Sequence, residues 1–195
     1  MTENNILSFN YIRKRNNYIT KKSGSHVFLN DQNNISLTFL KYSAMAYGNN
    51  DLTRFLDAQN KLYLTAFSEL KKGKKQTHWM WFIFPQIKGL GKSSIADYYA
   101  IADINEARAY LQHPILARHL IEISKQLLAS AKNKSAETIL GDLDARKLRS
   151  CLTLFSQVEN ADPIFKELLD RFFSGQLDPL TLSLTNIMSP VEMSA

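Results

Sequence analysis

The chain has 195 residues, 45% of them apolar and 22% charged, with a net charge of +6 and an isoelectric point near 9.3. That composition belongs to an ordinary globular domain long enough to bury a core, and it leaves phosphates, nucleic acid or an anionic surface open as partners. A single cysteine, Cys151, excludes an internal disulfide framework and fits a reducing compartment; with no CxxC, HExxH or His/Cys cluster, no metal site is expected.

No basic stretch followed by an apolar one opens the sequence, and the longest apolar run, Trp79 to Pro85, falls far short of the roughly 20 residues that a membrane span requires. The expected location is therefore the cytoplasm, with secretion by a signal-less route left open.

Residues 1–50 differ in texture from the rest. They are rich in Asn, Ser and Lys and carry a loose basic cluster of Arg13, Lys14, Arg15, Lys21 and Lys22. Their short apolar islands sustain no period, so they are expected to form an irregular, partly ordered N-terminal extension. From Asn50 or Asp51, either a good N-cap, the residues Leu52, Phe55, Leu56, Gln59, Leu62, Tyr63, Ala66, Phe67 and Leu70 recur at helical spacing. This predicts an amphipathic helix that ends in the basic Lys71 to Lys75 run, with Gly73 at the left-handed position beyond it.

The run Trp79 to Phe84 reads as a strand from its aromatic content or as a short core helix from its burial, and Pro85 stops it in either case. Ser93 or Ser94 caps a following helix with Ile95, Tyr98, Tyr99 and Ala102 on its apolar face. Asp103 and Glu106 have capping-box spacing for a helix to Gln112. Pro114 opens a longer helix with the stripe Ile115, Leu116, Leu120, Ile123, Leu127 and Leu128. A short helix is expected from Ser135 to Gly141. Asp142 or Asp144 then caps one running through Leu148, Cys151, Leu152, Phe155 and Val158. Asp162-Pro163 opens a helix with Phe165, Leu168, Leu169, Phe172 and Phe173 buried, closed by Gly175; Asp178-Pro179 opens a last short one. At least six helices with no alternating strand pattern predict an all-α, compact multihelical single domain over 51–185, followed by a tail over 186–195.

The chemistry-bearing residues gather around His78-Trp79-Met80-Trp81-Phe82-Ile83-Phe84-Pro85-Gln86 and the turn Gly89-Leu90-Gly91-Lys92-Ser93. The turn is not a nucleotide P-loop, because the pattern needs glycine where Gln86 stands and no Walker-B strand follows. Glycines leading into a capped helix, with Lys88 and Lys92 beside them, either hold an anion through backbone N–H groups or simply make a tight turn. His78 is the candidate acid–base residue, although no Ser, Cys or Asp partners it within the motif. Trp79 and Trp81 point to different sides in either conformation, so one can be core while the other lines a cleft able to stack a base. Cys151, on the apolar face of its helix, reads as an inert buried thiol.

The segments Asp51-Leu52-x-Arg54-Phe55-x-x-Ala58-Gln59, Glu69-Leu70-Lys71-x-Gly73-Lys74-Lys75-x-x-His78-Trp79-Met80-Trp81-Phe82-Ile83-Phe84-Pro85-Gln86, Ala107-x-Ala109-Tyr110-Leu111-x-His113-Pro114 and Asp144-x-x-Lys147-Leu148-Arg149-Ser150-x-Leu152-Thr153-Leu154-Phe155 resemble the DUF1810 family, over roughly residues 51 to 183. Cys151 departs from it where Ser is usual, and Thr77 where Ser is common. The resemblance implies a compact multihelical fold of the Rv1873-like type found in small bacterial proteins, and it implies no activity.

Together these readings predict a domain that binds a small phosphorylated or nucleotide-like ligand. Its pocket would be built from Gln59, Tyr63, His78, Trp81, Gln86, Lys88, Gly89, Gly91, Lys92 and Ser93, with Lys147 and Arg149 as added cations; no cofactor is specified. Two alternatives stand beside it: a protein-interaction module with the tryptophan run as pure core, and an enzyme in which His78 acts on a nucleotide or ADP-ribose-type bond. A nucleic-acid partner is disfavoured by the acidic residues scattered through 103–170.

Overall fold

The structure, a computed structural model, describes residues 51–185. The extension expected over 1–50 and the tail expected over 186–195 lie outside the described residues. Nine helices form among these: α1 Thr53–Lys71, α2 Met80–Ile83, α3 Ser94–Tyr98, α4 Ile104–Gln112, α5 Pro114–Ala131, α6 Ala136–Leu140, α7 Asp142–Ser156, α8 Ile164–Phe173 and α9 Pro179–Thr185. No strand accompanies them; one isolated parallel bridge joins Ile87 to Ile101. The fold is all-α, as the periodicity predicts.

Two long helices, α1 and α5, pack along each other, and α7 lies at the centre with α4, α6, α8 and α9 against it. Its second half explains that position. Every residue from Ser150 to Phe155 is buried, so this half of the helix is enclosed on all sides rather than along one stripe. Cys151 is sealed inside, and burial pushes its thiol up, as expected of an inert core residue.

Helix ends follow local chemistry. Ser93 accepts the Ala96 N–H, Asp103 those of Asn105 and Glu106, and Ser135 that of Thr138. Pro114 opens α5, and Gly73 beyond α1 and Gly175 beyond α8 take positive φ. Asp51 takes the Thr53 N–H at 3.0 Å, although Leu52 occupies the N-cap position.

The tryptophan run takes the second of its two readings, a short core helix of one turn, α2, that ends before Pro85. Other expectations are corrected. Neither Asp142 nor Asp144 caps α7. Gly141 occupies that place with φ +85°, and both aspartates lie in the first turn, where their charge suits the helix dipole. Of the residues assigned to an apolar face on α3, Ile95 and Tyr98 are exposed, because a five-residue helix at the surface presents little to the core, whereas Tyr99, just beyond its end, packs on Phe55 and Phe82. Ile115 is exposed too, and Phe172 and Phe173 are only half-buried. The capping box at Asp103 is half made, because Glu106 turns away to the Ala102 N–H and to Arg54.

Candidate functional site

The loop between α1 and α2 is set by one buried carboxylate. Glu69, 5% exposed on the apolar side of α1, accepts the N–H groups of Gln76 and Thr77, the Thr77 hydroxyl at 2.7 Å and the Trp79 indole N–H at 2.8 Å. Burial alone pushes this carboxyl up, but the four donors outweigh it and hold it below its ordinary value of 4.5. A hydroxyl at position 77 is therefore a structural requirement, which Thr or Ser meets equally. Trp79 is fully buried beneath this arrangement.

Trp81 has a different setting. It is half-buried, and the Lys147 ammonium of α7 lies 4.8 Å from its ring centroid. Lys147 also reaches one carboxylate oxygen of Asp144 at 2.7 Å, while Lys75, from the loop that Glu69 pins, reaches the other at 2.7 Å. The side chains are 26%, 15% and 10% exposed for Lys147, Asp144 and Lys75. Burial raises the Asp144 pKa, but the two ammonium groups outweigh it and hold the carboxyl below its usual value. Two half-buried cations thus share one anion beside an accessible indole. His78 is exposed in the same loop, and no hydrogen bond or ion pair ties it to another described residue.

Gln59 and Tyr63 belong elsewhere. Gln59 is buried, and its amide N donates to the Phe82 carbonyl at 2.8 Å and to the Tyr110 hydroxyl at 2.9 Å. Since a carbonyl can only accept, the Gln59 oxygen must face His119, whose Nδ1 lies at 2.9 Å and is therefore the protonated ring nitrogen. Tyr63 stacks on that imidazole with centroids 3.8 Å apart and donates to the His119 carbonyl at 3.2 Å. Burial, then the nearby Arg118 charge, brings His119 down to about 4, so it is neutral at pH 7. The capacity of Gln59 is spent inside the protein, leaving none for a ligand. His119 was not singled out from the sequence; its signal is its place on the α5 stripe, three residues after Leu116 and four before Ile123.

The glycine turn has its own account. A Cβ on Gly91 would meet that of Ala96 at 2.3 Å, and Gly89 has φ +97° against Leu184. Ser93 is the cap of α3. Lys88 lies 3.8 Å from Asp97, both exposed, and Lys92 is exposed. The Gln86 carbonyl takes the Ile101 N–H, while its half-buried amide makes no hydrogen bond to a described residue. Arg149 is committed to the carbonyls of Gln176 and Leu177 at 3.0 and 2.7 Å, tying α7 to the approach of α9. The expected twelve-residue pocket therefore divides: Trp81 and Lys147 come together, Gln59 and Tyr63 form a separate interior network, and Arg149 is a structural strap. Two grooves of about 530 and 410 Å³ that border α5 are lined by none of these twelve residues.

The family model described as "Protein of unknown function (DUF1810)" matches residues 49–185. The chain belongs to the DUF1810 family. Among solved structures it is similar to the conserved hypothetical protein Rv1873 from Mycobacterium tuberculosis, with 39% identity, a TM-score of 0.69, and coverage of 72% of this chain and all of that one. No curated protein matches it. Membership of DUF1810 thus carries the fold, and Glu69, Thr77 and Trp79 give the physical reason for part of the motif by which the chain resembles the family. No helix among the described residues is long and apolar enough to cross a membrane.

Proposed function

We propose that this DUF1810 domain binds a small phosphorylated or nucleotide-like ligand whose planar part stacks on Trp81 and whose anion is taken by Lys75 and Lys147. The observation that carries this reading is the unequal charge at the site: two half-buried ammonium groups against the single carboxylate of Asp144, one of them resting on an accessible indole face. Half-burial makes that excess charge more attractive to an anion than a fully solvated lysine is, because the local dielectric is lower. A base or sugar stacking on Trp81 would displace the Lys147 ammonium from the ring and leave it aimed at the ligand phosphate. The side chains of His78, Gln86 and Lys92 make no hydrogen bond or ion pair to a described residue and stay within the proposal as further polar contacts.

A thermal-shift screen against nucleotides, NAD, ADP-ribose and sugar phosphates tests it, with wild type and Trp81→Ala compared after both are shown to be folded. At a ligand concentration a hundredfold above Kd, linkage gives about 2.7 kcal/mol of stabilisation. The expected result is a shift in wild type that the variant loses. A shift of equal size in both, or none with any compound, rejects the Trp81 site.

A further inference from the structure

The larger groove, about 530 Å³, lies between α4, α5 and the link from α7 to α8 and is lined by neither Trp81 nor Lys147. Its apolar lining comes from Leu111, Ile121, Val158 and Ala161, and its volume is within the range of small-molecule sites. Two opposite charges, Arg108 and Glu159, line the same groove. Arg108 donates to the neutral amide of Asn105 at 2.8 Å and has no carboxylate partner among the described residues. Glu159 has neither a hydrogen bond nor an ion pair among them, and the two do not pair with each other. An unmatched cation and an unmatched anion in a groove with apolar lining complement a molecule that carries both charges and an aliphatic body.

We propose that this groove is a binding site for a free aliphatic amino acid. The ligand carboxylate meets the Arg108 guanidinium, whose fork suits it, its ammonium meets Glu159, and its side chain lies on Leu111, Ile121 and Val158. Asp162, on the same rim, is already engaged: one oxygen takes the Ile164 N–H at 2.9 Å and the other faces Lys125 at 3.5 Å. The site shares no residue with the nucleotide-like site and stands or falls independently of it.

The test is a backbone amide NMR titration of the full chain with L-leucine, leucinamide, 4-methylpentanoate and leucyl-leucine. Leucine is expected to shift the amides of Leu111, Gln112, Val158 and Asn160 saturably. Leucinamide, which lacks the carboxylate, and 4-methylpentanoate, which lacks the ammonium, should each bind at least about tenfold more weakly. Arg108→Gln and Glu159→Gln change exposed side chains, so their spectra should stay dispersed while the leucine response is lost. No saturable shift, equal binding by either half-charged analogue, or an unchanged response in both variants overturns the proposal. Tighter binding of leucyl-leucine than of leucine overturns the assignment to a free amino acid.

Discussion

Trp79 and Trp81 stand two residues apart in one short turn, each with one of the two lysines that share Asp144 over its ring, and they differ in exposure. Trp79 is sealed, with its indole N–H given to Glu69. Trp81 is half-open. The same contrast divides the candidate polar residues. Gln59 and Glu69 have spent their hydrogen-bonding capacity inside the protein, so removing them costs stability. Lys75 and Lys147 carry more charge than their shared partner neutralises, so they keep something to offer a ligand. What marks a binding group is capacity left over, and residue type alone does not report it.

The largest expected effect lies on the sealed side. Glu69→Ala leaves the Trp79 indole N–H and the Thr77 donors without their acceptor, and should destabilise the domain by about 3 kcal/mol or more in urea denaturation. Its pH dependence has a definite sign. Because the folded pKa is below the ordinary 4.5, the carboxylate contributes stability that is complete above 4.5 and is lost as pH falls through the lower folded value. The stability difference between wild type and Glu69→Gln should therefore be flat near neutrality and shrink only in acid. A difference that shrinks between pH 6 and 8 would contradict the hydrogen-bonded carboxylate.

A smaller effect separates packing from anion binding at the glycine turn. Gly91→Ala sets two Cβ atoms against each other, and should cost about 1–3 kcal/mol, recovered in large part by adding Ala96→Gly. Recovery of stability by the pair identifies close approach as the reason for glycine. A single variant as stable as wild type would remove that reason.

Much of this fold was legible because its signals are local. Ser93, Asp103, Ser135 and Pro114 act within one helical turn of their own position, and the α1 stripe reports a face that the core then covers. The corrections come from distance. That Glu106 serves Arg54 rather than its own cap, and that Asp144 draws in Lys75, are facts of tertiary packing between residues far apart in the chain. Sequence spacing also could not tell that Gln59 faces Tyr110 and His119, because a buried amide and a ligand-binding amide occupy the same helical position. Glu69 left a readable trace, an acid on the apolar face of α1 beside Ala66 and Leu70, yet its partners in the loop could be identified only once the chain had turned back on itself. The candidate site was thus half visible: Trp81 and Lys147 meet as expected, whereas Asp144 and Lys75 complete the cluster from outside the predicted set.

The smallest structural perturbation gives the most direct test of the contrast between the two tryptophans. Intrinsic fluorescence is titrated with the compound that gives the largest thermal shift, in wild type and in Trp81→Phe, where Trp79 remains as the reporter of a folded core. Quenching that saturates in wild type and disappears in Trp81→Phe is the predicted result. Quenching that persists in the variant would place the ligand away from Trp81 and contradict the assignment of the open indole as the binding face.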